Sequence, residues 1–415
     1  MAHLRTLKHI AVLLLVGIYV WRALLPAWDK VQSAPSARDY ATYHYAVKSA
    51  FDGKDPYETR QLNRMAKSDK TRNKVHPYFY PPPFLMAVAW AIPLKLSTAY
   101  QVFFWLNQLF LGAALWMMWR WFRVGWLPLT LILATFSPIP DNAWMGQANL
   151  LILVLAIWGL WRVRGGAIGC AAMGKMSPAI YLAWWASRGD WQPVLRAVRA
   201  VFWLTILAIP LVGVSSQVRF YTEVLPGFSS GNYHGLTVPI NLPANHSIPD
   251  LFNQLWPGPD RHTLSDEARL SAAAVSLGLL GALCWVGRRR RDPLGDACVA
   301  GAMTVLLLMT PVYTYEHHLV LLLLPLGAVA AALKAGRLGW AWWAPLLIAY
   351  VGLAWPLSTL REAQSAWPDF TWILQESKTV GEVVLGLACT RAAAVSPRRG
   401  LLSAEHGGAQ AAASK

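Results

Sequence analysis

Residues 10–25 read IAVLLLVGIYVWRALL, an apolar run behind Arg5 and Lys8 that has the opening of a signal peptide. No small-x-small cleavage site follows it and more apolar runs fill the downstream chain, so it reads as a retained first membrane helix. Those runs lie near 84–96, 99–119, 126–139, 149–161, 166–187, 198–214, 268–286, 295–310, 318–333, 340–357 and, weakly, 379–390. Runs of about 20 residues cross a bilayer, while runs of about 10–14 read as re-entrant or tilted pieces packed against neighbours. The sequence therefore predicts an all-α, polytopic membrane protein with about 10 to 12 transmembrane helices.

Composition agrees. Of 415 residues, 55% are hydrophobic and only 14% charged, which excludes a disordered chain and an ordinary soluble enzyme. The net charge of +16 would suggest nucleic acid in a soluble protein. In a membrane protein it sets topology instead, and no nucleic-acid partner is expected. The 23 Trp fit membrane interfaces. Cys170, Cys284, Cys298 and Cys389 lie in or beside apolar segments without a CxxC pair, and read as small apolar residues.

Basic residues in short connections prefer the cytoplasm. Arg288-Arg289-Arg290-Arg291 is the clearest marker, joined by Arg188, Arg196 and Arg199, by Lys334 and Arg337, and by Arg391, Arg398 and Arg399. With these inside, both termini are cytoplasmic, and 29–83, 215–267, 311–317 and 358–378 lie outside. Arg120, Arg123, Arg162 and Arg164 join the cytoplasmic set only if 84–96 and 166–187 are re-entrant pieces or short hairpins. The 29–83 loop carries ten Lys/Arg against six Asp/Glu. That excess fits either an anionic ligand at the outer surface or a solvated loop near anionic lipid. Residues 1–390 read as one integral membrane domain, and the Ala-, Ser- and Gly-rich segment 391–415 as a disordered cytoplasmic tail. The chain has no repeat, no phosphate-cradling Gly-rich loop and no zinc spacing, which argues against ATP-driven transport.

Ionisable residues near membrane depth are costly, and each is a functional candidate. Asp39 and Tyr43 in Arg38-Asp39-Tyr40-Ala41-Thr42-Tyr43 share a helical face, and Tyr78-Phe79-Tyr80-Pro81-Pro82-Pro83 closes the same loop. A carboxylate among aromatic rings suits proton acceptance from a sugar hydroxyl with rings stacked on the sugar. The alternative is a helix-capping Asp39 with tyrosines of an aromatic belt. Asp141-Asn142-Ala143-Trp144-Met145-Gly146-Gln147-Ala148-Asn149 is amide-rich and suits either sugar hydrogen bonding or helix capping. Lys175 in Gly174-Lys175-Met176-Ser177-Pro178 serves a phosphate or snorkels to the interface. Tyr315-Glu316-His317-His318 stands at the outer mouth of a helix. A metal there would lack a second carboxylate cluster or an HExxH, so phosphate recognition or a structural network fits better.

In this order the motifs resemble the polyprenol-phosphate-sugar-dependent glycosyltransferases of family 87, in the membrane-embedded C-type superfamily. The resemblance runs from about Asp39 to about Pro325, through Asp39-Tyr40 with Tyr43, Gly53 with Asp55-Pro56-Tyr57, Tyr80-Pro81-Pro82, Gly146-Gln147-x-Asn149, Lys175-x-x-Pro178, Asn245-x-Ser247 and Pro311 with Glu316-His317-His318. Tyr315 stands where the family often has Trp. The resemblance implies a C-type glycosyltransferase architecture with long outer loops, in the cytoplasmic membrane with the active site on its outer side. It also implies transfer of mannose or a related sugar from polyprenyl phosphate to a hydroxyl of a glycan or glycolipid, with Asp39 as general base and inversion of configuration. Under it His317, His318 and Lys175 are donor-phosphate ligands, and Tyr40, Tyr43, Tyr80, Gln147, Asn149, Asn245, Ser247 and Glu316 are sugar or acceptor contacts. No metal or other cofactor is expected. Two rivals remain at this stage, an arabinofuranosyltransferase with the same kind of donor and a non-catalytic lipid-glycan transporter. The carboxylate at the head of a long loop and the distant Glu-His-His favour an enzyme.

Overall fold

The computed structural model describes residues 2–33, 38–71, 75–229, 240, 245–260, 262–288, 292–356, 362, 366 and 371–395. Arg72, Lys74, Arg289, Arg290, Arg291, Arg398, Arg399 and the tail from 396 onward lie outside the described residues. Among the described residues the chain is helical without a strand, an all-α polytopic membrane protein. Five helices are long and apolar enough to cross a bilayer: Arg5–Ser33, Leu96–Phe122, Trp191–Val212, Asp266–Arg288 and Glu316–Lys334. A sixth is formed if Pro138–Met145 and Asn149–Trp161, bent by 119° at Gly146, count together. The other apolar runs give shorter helices, among them Trp126–Thr135, Gly165–Gly174, Pro293–Met309 and Trp340–Ala354.

Burial sorts the helices. Trp191–Val212 carries Leu195, Val198, Phe202, Trp203 and Leu207 on an exposed face, and the first span exposes Leu13, Leu14 and Trp21. Exposed apolar faces of this kind meet lipid tails. Pro293–Met309 is instead buried along nearly its whole length and forms the centre, packed on the C-terminal helix Thr371–Ala394 and on the helix Leu323–Lys334.

Charged residues gather at one end of this central helix. Arg188 pairs with Asp296 at 2.8 Å and Asp190 at 3.1 Å, Arg337 pairs with Asp292, and Lys334 donates to the Arg123 carbonyl at 2.8 Å. Two of the basic clusters read as cytoplasmic, those of Arg188 and of Lys334 with Arg337, thus sit at this end, and the second meets the uncertain Arg123. Thr310 at the helix's other end, about 25 Å away at 1.5 Å per residue, lines a large cavity.

The two segments expected not to cross simply behave as such. Residues 84–96 form only Phe84–Val88 and a single 3-10 turn at Ala89–Ala91. Residues 165–188 form a helical hairpin. Gly165–Gly174 runs towards the cavity beside Asn149–Trp161, turns at Lys175, and returns as Ile180–Ser187 with the Tyr181 hydroxyl 2.8 Å from Thr304 Oγ1. Glycines allow the first arm to lie against Trp191–Val212. A Cβ on Gly165 would stand 1.7 Å from the Pro193 carbonyl oxygen, and one on Gly169 2.5 Å from that of Ala197. Close backbone approach at small residues is how helices pack without a hydrophobic driving force.

Gly165→Ala is expected to destabilise the protein by on the order of 1–3 kcal/mol, seen as a lower Tm in detergent. Gly166→Ala, with nothing within 4 Å of its Cβ, is the control and leaves Tm unchanged.

Candidate active site

The cavity, of about 1280 Å³, is walled by residues far apart in the chain. Asp39, Thr42 and Tyr43 come from the helix Arg38–Phe51, His76, Pro77, Phe79, Tyr80 and Pro81 from the loop that leads to Phe84, and Asp141, Trp144 and Gln147 from the bent pair and its break. Lys175, Met176 and Ser177 enter at the hairpin tip, and Thr310 to His318 from the turn after the central helix. Apolar side chains such as Leu133, Phe136, Leu307 and Leu321 complete the wall.

Asp39 is held by an amide. Gln147 Nε2 donates to Asp39 Oδ2 at 2.7 Å, while Gln147 Oε1 accepts from the hydroxyls of Tyr43 at 2.9 Å and Tyr80 at 2.7 Å. Burial holds both phenols well above the ordinary phenol range, so they keep their protons and donate to Oε1 while Nε2 is given to Asp39. Asp39 Oδ1 has His76 Nε2 at 3.9 Å, beyond hydrogen-bond length, and retains acceptor capacity towards the cavity. Tyr43 and Tyr80 meet edge to face with ring centroids 4.8 Å apart.

Gly146 makes this register accessible. It ends Pro138–Met145 with φ +71°, where L side chains are strained, and a Cβ there would stand 2.6 Å from the Tyr40 Cβ. Tyr40 itself is fully buried against Tyr100 and Phe103 and does not line the cavity. The expectation of Tyr40 as a sugar contact is therefore corrected, because consecutive helical residues face different ways and Asp39 takes the cavity side.

A second polar group faces Asp39 across the space. His317 and His318 begin the 3-10 turn Glu316–Leu322 and both line the cavity, their rings 4.3 Å apart. The Tyr315 backbone N–H donates to His318 Nδ1 at 3.2 Å, which assigns the proton to Nε2 and leaves that nitrogen a donor. Lys175 Nζ donates to Asn149 Oδ1 at 3.2 Å. Asn149 in turn donates through Nδ2 to Asn142 Oδ1 at 3.1 Å and to the His317 carbonyl at 3.0 Å. Asn149 stands behind the wall and ties the lysine to the histidine turn, so it supports the site without facing it. Glu316 lines the cavity and is held from behind by Ser137 and by Lys378, whose ammonium lies 3.0 Å from Oε1.

Asn245 and Ser247 are also corrected. Asn245 Nδ2 donates to the carbonyls of Ile240 and Val312 at 2.9 and 2.8 Å, and its Oδ1 accepts from the Thr314 N–H at 2.8 Å. Ser247 Oγ donates to the Val312 carbonyl at 3.1 Å and caps Ile248–Leu255 by accepting from the Asp250 N–H. Both are buried and spent on backbone, bracing the 312–314 turn from outside the cavity. His246 between them is buried too, and burial pushes its imidazole down to about 3, so it stays neutral.

Sequence reasoning missed several cavity residues. Arg22, on the π-helical turn Val20–Leu24, and Lys30, 4.5 Å over the Trp144 ring, line the mouth. His76 sits just before the Tyr78–Pro83 motif without a signal of its own. Lys378, immediately before the weakest apolar run, stands behind the lining and reaches Glu316. Among the described residues no group of three or more His, Cys, Asp or Glu comes together to hold a metal ion.

The fold defines a multi-pass membrane protein, and the cavity joins a polar wall to an apolar one, a lining suited to an amphiphilic ligand. A family model described as glycosyltransferase family 87 matches residues 78–311, more than half of the chain. The chain belongs to glycosyltransferase family 87 and is a glycosyltransferase acting on a sugar donor and an acceptor. No curated protein and no solved structure matches it. Asp39 precedes the matched region and Glu316 to His318 follow it, yet they share the cavity with Tyr80, Gln147 and Lys175 from within it.

Asn245→Ala leaves the Val312 carbonyl and Thr314 N–H without their buried partner, and is expected to cost about 1–3 kcal/mol. Thermal unfolding in detergent checks this; an unchanged Tm would mean that the turn is not braced there.

Proposed function

We propose that this enzyme moves mannose from a polyprenyl phosphate to an acceptor hydroxyl at the outer face of the cytoplasmic membrane, with inversion and with Asp39 as general base. One observation carries the reading: Asp39, oriented by Gln147, shares one cavity with His317, His318 and Lys175. The acceptor oxygen attacks the anomeric carbon, forming the new glycosidic bond, and gives its proton to Asp39. The bond from the anomeric carbon to the phosphate oxygen breaks on the opposite face, and its electron pair leaves with the lipid phosphate. The leaving phosphate gains negative charge, which Lys175 and donated protons from His317 and His318 offset in a site partly shielded from water. This chemistry needs no metal or other cofactor. Tyr43, Tyr80 and Gln147 present rings and amide to the sugars, and Glu316 accepts a sugar hydroxyl. Residues 1–390 act as a single membrane domain with both termini cytoplasmic, and the acceptor is a glycan or glycolipid.

Asp39→Asn keeps the size and the Gln147 contact but removes the base. Loss of kcat by about 100-fold or more is expected, with donor affinity within about threefold of wild type. Purified, folded Asp39→Asn that transfers mannose from polyprenyl phosphate at near wild-type rate would exclude the role. For the phosphate, His317→Ala and His318→Ala are measured by donor titration. At least one is expected to weaken donor binding about tenfold or more, and unchanged affinity in both removes the histidines from phosphate binding.

A further inference from the structure

Lys378 lies on Thr371–Ala394, beyond the family match, and is fully buried. Its ammonium donates to Glu316 Oε1 at 3.0 Å and to the carbonyls of Leu353 and Trp355, at 2.9 and 2.7 Å, where the helix Trp343–Ala354 ends. An ammonium has three protons, and these three acceptors use them all. Lys378 therefore has no donor left for a ligand. Ser137 Oγ lies 2.9 Å from the same Glu316 oxygen and 3.2 Å from the Trp355 carbonyl, but its single proton serves one of them at a time. The charge and the fixed geometry at Glu316 come from the lysine.

The other oxygen of this carboxylate is in a different situation. Glu316 is 3% exposed and lines the cavity, yet its Oε2 is buried without a hydrogen-bond partner among the described residues. An unpaired buried carboxylate oxygen is costly, and a substrate hydroxyl is the group that would relieve it. We propose that Lys378 is a positioning residue for sugar transfer, holding Glu316 through Oε1 so that Oε2 accepts a hydroxyl of the donor sugar. This rests on the reading of the cavity as the site of a polyprenyl-phosphate sugar. Glu382, four residues beyond Lys378, is buried with both oxygens unpartnered among the described residues. Removing the lysine alone therefore leaves Glu316 without its ion-pair partner, close to a second buried carboxyl that has none, a strongly destabilising change.

The experiment uses the full chain in detergent, polyprenyl-phosphate mannose and its monodeoxy analogues. The variants are Glu316→Gln, Lys378→Met, the pair of these together, and Lys378→Met/Glu382→Gln, which keeps the net charge of the cluster. Wild type is expected to discriminate by about tenfold or more against one monodeoxy donor, because the missing hydroxyl leaves Oε2 unmet. Lys378→Met, or Lys378→Met/Glu382→Gln where the single variant does not fold, is expected to lose that discrimination. Losses in kcat/KM from Glu316→Gln and Lys378→Met should not multiply in the double variant, because one residue acts through the other. A folded Lys378 variant that discriminates as wild type does, or losses that multiply, overturns the positioning role. A wild-type protein that transfers sugar from no polyprenyl phosphate overturns the functional reading and this inference with it.

Discussion

A carboxylate facing an apolar cavity must be met by a donor that cannot turn away, and at Asp39 that donor is the Gln147 amide. The amide has a donor end and an acceptor end: its N–H meets Asp39, and two phenol hydroxyls converge on Oε1. Turned over, it would face Asp39 with oxygen, and the contact that holds the carboxylate would be lost, whereas a phenol can donate or accept. The register of this amide depends on Gly146, whose positive φ and missing side chain let the Arg38–Phe51 helix come close enough for the contact. The arrangement of the Asp39 wall thus depends on one turn between two halves of a bent helix pair.

The wall opposite is organised by a different means. Its turn follows the central helix and is braced on one side by Asn245 and Ser247, which satisfy backbone groups, and on the other by Asn149 and the hairpin tip. Polar groups here mostly serve other protein groups, and among the described residues the Tyr315 hydroxyl and Glu316 Oε2 are ends without a hydrogen-bond partner. In an interior poor in water each leftover end attracts a complementary ligand atom more strongly than it would at an aqueous surface.

Much of this was legible beforehand. Apolar runs and basic clusters read as an all-α membrane protein, and the two runs suspected of failing to cross form a short helix with one turn and a hairpin. Asp39, Tyr43, Tyr80, Gln147, Lys175 and the Glu-His-His triplet were visible as polar residues where an apolar environment was expected, and all of them line one cavity. Tyr40, Asn245 and Ser247 were misread because a motif names residues without saying which way they face, and backbone groups compete for amides and hydroxyls as well as sugars do. Lys378 left no signal at all. A single lysine at the edge of a weak apolar run looks like an interfacial anchor until a partner 62 positions away is seen against it.

That long-range pairing has a consequence for biosynthesis. A chain entering the membrane from its amino terminus brings in Asp39 first, the Gln147 amide about 100 residues later, and the Glu316 turn after about 170 more, while the lysine that pairs with Glu316 arrives among the last helices. Until then Glu316 has the Ser137 hydroxyl but no cation against it, and a carboxylate at membrane depth without a countercharge is costly. The ion pair at Glu316 is therefore made only once the helix Thr371–Ala394 is in place, so the order of the chain puts the completion of this turn late in its assembly.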